Sequence, residues 1–254
     1  MAACLSLLAF PTTTYAGSRE AVQKAIPAAV AVEWRADEKA GPQQAARNVR
    51  RLPDAETQVG DSDPHRRTTV RWRAIPASQR ADLALTSGVV VSANGLVVTA
   101  NREPDGHYVV IFADGRSLPA RVVVDDRRSG LRLLKVDATD LPHLALADNE
   151  AEIGDQVFAA FCTDRRERAA AQGMVAARPK AASIELDLAT GPMSAGGALV
   201  NEFGKLVGII SGKSAPDART QTNNSAVPLR DIRALLAAQQ GENTVVVHRG
   251  FLGL

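Results

Sequence analysis

The chain has 254 residues, 45% of them hydrophobic and 23% charged, with a formal net charge of +2. These are ordinary globular proportions, which exclude wholesale disorder, and the length suits one large β domain or two small ones. A charge so close to zero points to neither a nucleic acid nor an anionic membrane as partner.

Residues 1–17, MAACLSLLAFPTTTYAG, join an apolar run to small residues around Ala16. That is the pattern of a secretory signal cleaved after Ala16, although no Lys or Arg precedes the run; an apolar tail packed on the domain is the other reading. No later run reaches the ~18 apolar residues of a membrane helix, so no membrane span is expected. Residues 20–34 read as a short helical turn, then Pro27, then a strand of alternating apolar positions. From Arg35 to Asp82 periodicity is lost in a charged, Pro-containing stretch, read as a long exposed loop 35–82. Within it TTVRWRAIP (68–76) is a candidate strand.

Regular structure then returns. GVVVSANGLVVTA (88–100) is a hairpin signal, since Asn94-Gly95 suits a tight turn that needs positive φ. YVVIFADGRSLPARVVVDD (108–126) repeats the logic around Asp114-Gly115. LRLLKVD, QVFAAFC, GMVAA, SIELDL and KLVGIIS follow as short strands, and AVPLRDIRALLAAQQG (226–241) has helical spacing with Gly241 as its stop. The expected fold is all-β, a sandwich or barrel, with a C-terminal helix. Cys4 lies in the expected signal, which leaves Cys162 as a lone core thiol without a disulfide. No zinc-ligand spacing and no phosphate-binding glycine loop occur, so no cofactor or metal is expected.

The order of motifs resembles the Deg/HtrA-type trypsin-like serine proteases of bacterial envelopes and organelles. The stretches that carry it are TSGVVVSANGLVVTANREP, DGRSLPARVVVDDRRSGLRLLKVD, LPHLALADNEAEIGDQVFAAFC and LDLATGPMSAGGALVNEFGKLVG, followed by SAVPLRDIRALLAA and VVVHRGFLGL. The resemblance implies two six-stranded β-barrels over 18–240, with a long insertion between the first two strands. It reads 241–254 as a linker and the start of a truncated peptide-binding PDZ domain. It also implies a secreted or periplasmic location.

Trypsin-like chemistry needs a hydroxyl nucleophile, an imidazole to take its proton and a carboxylate to orient the imidazole. On the resemblance, the histidine position falls on Arg102, whose guanidinium stays protonated and cannot act as a base. The aspartate position falls on Gly130 and the serine position on Ala195, directly before the retained Gly196-Gly197. The oxyanion glycine is Met193. The expectation is a pseudoprotease, with no catalytic residue.

Neighbouring groups are candidate substitutes. Ser194 is one residue early and is read as a turn residue. His107 is read as a rim residue, His143 as a variable strand position, and His65 and His248 as loop and linker residues. Asp125 and Asp126 are read as solvated turn carboxylates. Arg102 is read as a plug paired in the vacated slot, with capture of acidic peptides as the other reading. The strand KLVGIISG resembles the edge on which the family lays an extended peptide, which makes Ile210, Ser211 and Gly212 the peptide-binding candidates. Implied partners are extended peptides or unfolded protein, and a homo-trimer or a hetero-oligomer with an active paralogue. Two rival functions stand beside this: an active serine endopeptidase with a rearranged site, and a structural oligomer subunit assembled through loop 35–82.

Overall fold

Helix α1 (Ala16–Ala25) leads through a 3₁₀ turn, Ile26–Ala28, into strand β1 (Ala29–Arg35). Pro27 suits the start of that turn, where its missing N–H removes no hydrogen bond. In this computed structural model of the chain, the residues described are 16–35, 85–100, 106–178, 183–188, 190–211, 225–240 and 245–246. The expected signal (but for its last two residues), the candidate strand 68–76 and all of loop 35–82 except Arg35 lie outside them.

The first barrel continues with β2 (Leu85–Ser92), β3 (Leu96–Thr99), β4 (His107–Ile111), β5 (Ser117–Asp126) and β6 (Leu131–Val136). Its strands run in the order β5-β4-β1-β2-β3-β6, and β5 pairs with β6 to close the ring. The hairpin turn at Asn94-Gly95 has the expected form. Gly95 has φ 87°, and a Cβ there would lie 2.4 Å from the Val136 carbonyl oxygen, so only glycine fits.

The second barrel is β7 (Gln156–Cys162), β8 (Arg168–Ala177), β9 (Ile184–Asp187), β10 (Ala198–Val200), β11 (Leu206–Ile210) and β12 (Ser225–Pro228), closed in the order β10-β11-β12-β9-β8-β7. Two six-stranded β-barrels with a C-terminal helix are therefore the architecture. Helix α2 spans Leu229–Gln240, three residues shorter at its start than the sequence pattern suggested. Ala226–Pro228 are strand instead. Val227 precedes a proline, which disfavours helical backbone, and the segment pairs with β11 and β9 to close the barrel. A last short strand, β13 (Val245–Val246), adds in parallel to β5.

Alternation explains how the barrels meet. Along β1, Val30 and Val32 enter the first barrel beside Tyr108, Val110 and Leu134. Along β7, Val157, Ala159 and Phe161 enter the second barrel, while Phe158 and Ala160 join a seam shared with α1, α2 and the first barrel. Both faces of β7 are thus buried, which is why its sequence is an unbroken apolar run. Burying a side chain such as Phe158 contributes about 2–3 kcal/mol.

Polar groups stitch the same seam. Arg168 at the start of β8 donates from Nε to the Ala29 carbonyl and from Nη2 to the Ile111 carbonyl, each at 2.9 Å. Buried Glu33 on β1 meets Arg165 of the second barrel at 3.0 Å.

Candidate functional site

The segment 191–197 begins with a 3₁₀ turn, Pro192–Ser194, after which Ala195, Gly196 and Gly197 lead into β10. Remote strands hold it in place. The Ser87 N–H donates to the Ala195 carbonyl at 2.9 Å, and the Gly196 N–H donates to the Ile210 carbonyl at 2.8 Å. The Ser87 hydroxyl donates to the Met193 carbonyl at 2.7 Å and accepts from the Cys162 N–H at 2.8 Å. Thr99 closes the knot by donating to the Ser87 carbonyl at 2.8 Å. Gly196 has φ 86°, and a Cβ there would stand 2.1 Å from the Ser87 carbonyl oxygen. The glycine pair is a packing requirement of this turn, whatever chemistry the turn carries.

The hydroxyls of Ser87, Thr99 and Ser194 are used internally. Ser194 is fully buried, and its Oγ donates back to the Gly191 carbonyl at 2.6 Å. That is the turn role expected for it. Ser87 and Thr99 are also fully buried, and both donate to main-chain carbonyls. Ala195 itself is 7% exposed and offers a methyl group. Met193 sits in the 3₁₀ turn and packs against Ala31, Leu85, Ile111 and Cys162, filling the seam between the barrels.

Cys162 belongs to the same cluster at 1% exposure. Burial pushes its thiol up to about 11, and the nearby Arg168 guanidinium and Ser87 contact only partly oppose this. A thiol so raised supplies no thiolate nucleophile at neutral pH. The core-thiol reading fits.

Gly130 ends a second turn, with φ 77° and its N–H donating to the Asp126 carbonyl at 2.8 Å. Asp126 caps this turn, accepting from the Arg128 N–H at 3.0 Å and from the Ser129 hydroxyl at 2.9 Å. Asp125 departs from the solvated-turn expectation. It lies on β5, largely covered, in a two-pronged pair with Arg132 at 3.1 Å on each side. Burial alone would lower the Arg132 guanidinium, yet Asp125 and the Tyr108 hydroxyl, also bonded to Arg132, hold it above its usual range. Asp125 is thus committed to a structural pair.

The other candidates fall apart in space. His107 opens β4, exposed, opposite Arg35. His143 is exposed, with its Nδ1–H donating to the Leu141 carbonyl at 3.0 Å. Arg102, Gly212, His65, His248 and Cys4 lie outside the described residues.

The peptide-binding candidates need a correction over part of their length. β11 is paired on both sides, by β10 and β12, so over Leu206–Ile210 it is interior strand and offers no edge. Ile210 is fully buried, donating to the Gly197 carbonyl at 2.9 Å and accepting from Gly196. The Ser211 N–H is taken by the Ser225 carbonyl at 2.8 Å, and the two serine hydroxyls lie 2.7 Å apart. The closed barrel confines any main-chain addition of a peptide to the chain beyond Ile210.

Sequence reasoning missed Ser87 as the hub of the turn and Arg168 as the tie across the seam. The partners of the Ser87 side chain lie 75 and 106 residues away and those of Arg168 across the seam 57 and 139, where no local pattern reaches. Among the described residues no helix is long and apolar enough to cross a membrane, and no cluster of ligating side chains could hold a metal ion.

Comparisons with known proteins agree with this geometry. Residues 86–209 match the trypsin-like peptidase domain family. A probable periplasmic serine endoprotease DegP-like of Pseudomonas savastanoi pv. phaseolicola is 30% identical over 186 residues, covering 69% of this chain and 38% of that protein. The periplasmic serine endoprotease DegP of Salmonella typhimurium is 32% identical over 191 residues, covering 69% and 39%. The chain therefore spans less than two fifths of the length of these curated relatives. The crystal structure of the serine endoprotease from Yersinia pestis superposes with a TM-score of 0.62 at 24% identity, over 87% of this chain and 65% of that one, a likeness of fold.

Proposed function

Starting from a chain that belongs to the Deg/HtrA-type trypsin-like serine protease family, we propose that its barrels bind polypeptide without cutting it. One observation carries the reading. Ala195, which the resemblance sets at the family's nucleophile position, offers a methyl group, and the adjacent hydroxyl, on Ser194, is buried and donated to its own turn. Gly130 at the aspartate position and Arg102 at the histidine position extend it, since neither can orient or accept a proton. Met193 fills space where the family's glycine leaves a backbone donor open to the oxyanion. The closed second barrel up to Ile210 and Ser211 is the scaffold on which extended peptides or unfolded protein would lie.

Location in the periplasm or outside the cell belongs to the same proposal, supported by the signal-like residues 1–17 and by the names of the relatives. Cleavage after Ala16, a trimer or hetero-oligomer with an active paralogue, a PDZ-like segment from 241 and Arg102 as a plug complete it. The rival is an endopeptidase with a rearranged site, favoured by the activity in the relatives' names.

The test is direct. Purified chain incubated with unfolded casein yields no fragments, Ala195→Ser alone restores none, and a fluorophosphonate probe leaves the protein unlabelled. Binding is read in parallel as anisotropy of a labelled casein fragment. Cleavage that vanishes in Ser194→Ala would overturn the reading in favour of the endopeptidase.

A further inference from the structure

Strand β5 is longer than its neighbour β4 requires. β4 pairs with it over Ser117–Ala120, and β6 pairs with its other edge over Ala120–Asp126. Past Ala120 the edge left by β4 meets one described segment, β13, in parallel register, Val245 beside Val124 and Val246 beside Asp125. Val124 is bonded to β6 on its opposite side, so β13 occupies the edge that would otherwise be bare. Bare edges of this kind recruit extended chains.

The pairing is two residues long. The few ladder bonds of so short a strand do not by themselves outweigh the cost of ordering its residues. Delivery tips the balance. α2 ends at Gln240, shortly before Val245, and is fixed to the first barrel by Asp231, whose carboxylate meets Arg128 at 2.5 Å. So short a tether gives an effective concentration in the millimolar range, enough to hold a weak strand in place. The contact stands near balance between bound and released.

We propose that the Val122–Asp126 edge of β5 is a strand-addition site, filled in cis by Val245–Val246, which accepts an extended polypeptide of a partner once that pair lets go. Main-chain bonding supplies the affinity, and the run Val122-Val123-Val124 favours an incoming strand of β-branched residues. The site uses no residue of the turn at 191–197 and stands whether or not the chain cleaves peptides.

Hydrogen exchange on the full chain tests it. In V245P/V246P, which removes both main-chain donors, the β5 amides that face away from β6 exchange about twofold faster, the limit for a pair closed half of the time, while Val30 and Val89 keep their protection. A synthetic peptide of residues 241–250, GENTVVVHRG, at about 1 mM restores the β5 protection in the variant and changes the unaltered chain little. As a check free of substitutions, the same peptide carrying a benzophenone crosslinks to β5 of the unaltered chain in proportion to its concentration. β5 exchange unchanged in the variant, or a peptide that neither protects nor crosslinks to β5, overturns the proposal.

Discussion

The turn that ends at Gly130 and the turn that holds Ala195 are held in different ways. The first closes mainly on itself, through Asp126, Arg128 and Ser129 within five residues of sequence, with one outside tie from Arg128 to Asp231 of α2. The second is held from outside, by Ser87 of β2, Cys162 of β7 and Ile210 of β11. A turn held locally can be rewritten one residue at a time. A turn held by outside strands keeps its path whatever side chain stands at 195, because the barrels need it. That difference explains why glycine is required at Gly196-Gly197 beside an alanine.

The comparison can be broken most sharply at Gly196. Gly196→Val drives a side chain into the Ser87 carbonyl at a positive φ, and a loss of about 3–5 kcal/mol in urea unfolding is expected; a loss under 1 kcal/mol would show a turn free to move. Ser87→Ala leaves the Cys162 N–H without its acceptor and the Met193 carbonyl without its donor, at a cost of about 3 kcal/mol.

The pH dependence of the same anchor comes next. The Cys162 thiol is raised from 9.0 to about 11, so the folded state favours the protonated form. Its contribution is complete below pH 9 and is lost as pH rises toward 11, on the order of 2 kcal/mol in all. Urea midpoints of wild type and Cys162→Ala compared at pH 8 and pH 10.5 read it, and parallel slopes would remove it. The smallest effect belongs to the local turn. Ser129→Ala should cost about 0.5–1 kcal/mol and leave the second barrel's exchange pattern untouched.

What the sequence revealed follows the range of the forces involved. Asn94-Gly95 announced a hairpin because the turn's demand for positive φ is local. The unbroken run of β7 was readable as a strand, because two cores flank it and both faces must be apolar. Ala226–Pro228 were misread as helix because their apolar spacing continues that of α2, and only the closure of the second barrel decides otherwise. At the site, motif order alone singled out Gly130, Met193 and Ala195, and the buried Ser194 took the expected turn role. Asp125 was misjudged because its partner Arg132 sits across a ladder, and Ile210 because an edge in one strand's sequence says nothing of the strand on its far side.

One feature of the first barrel has a practical side. Glu33 and Leu85 face each other across the β1–β2 ladder, so the strand ends that flank residues 36–84 are neighbours. Closing a connection of that length costs only roughly 2 kcal/mol more than a four-residue turn, because the penalty grows with the logarithm of length. The junction is in effect a socket. A reporter, an affinity tag or a randomised library spliced between Arg35 and Leu85 would inherit two fixed posts on adjacent strands, and the barrel would tolerate exchange of the cargo far better than any change in the posts.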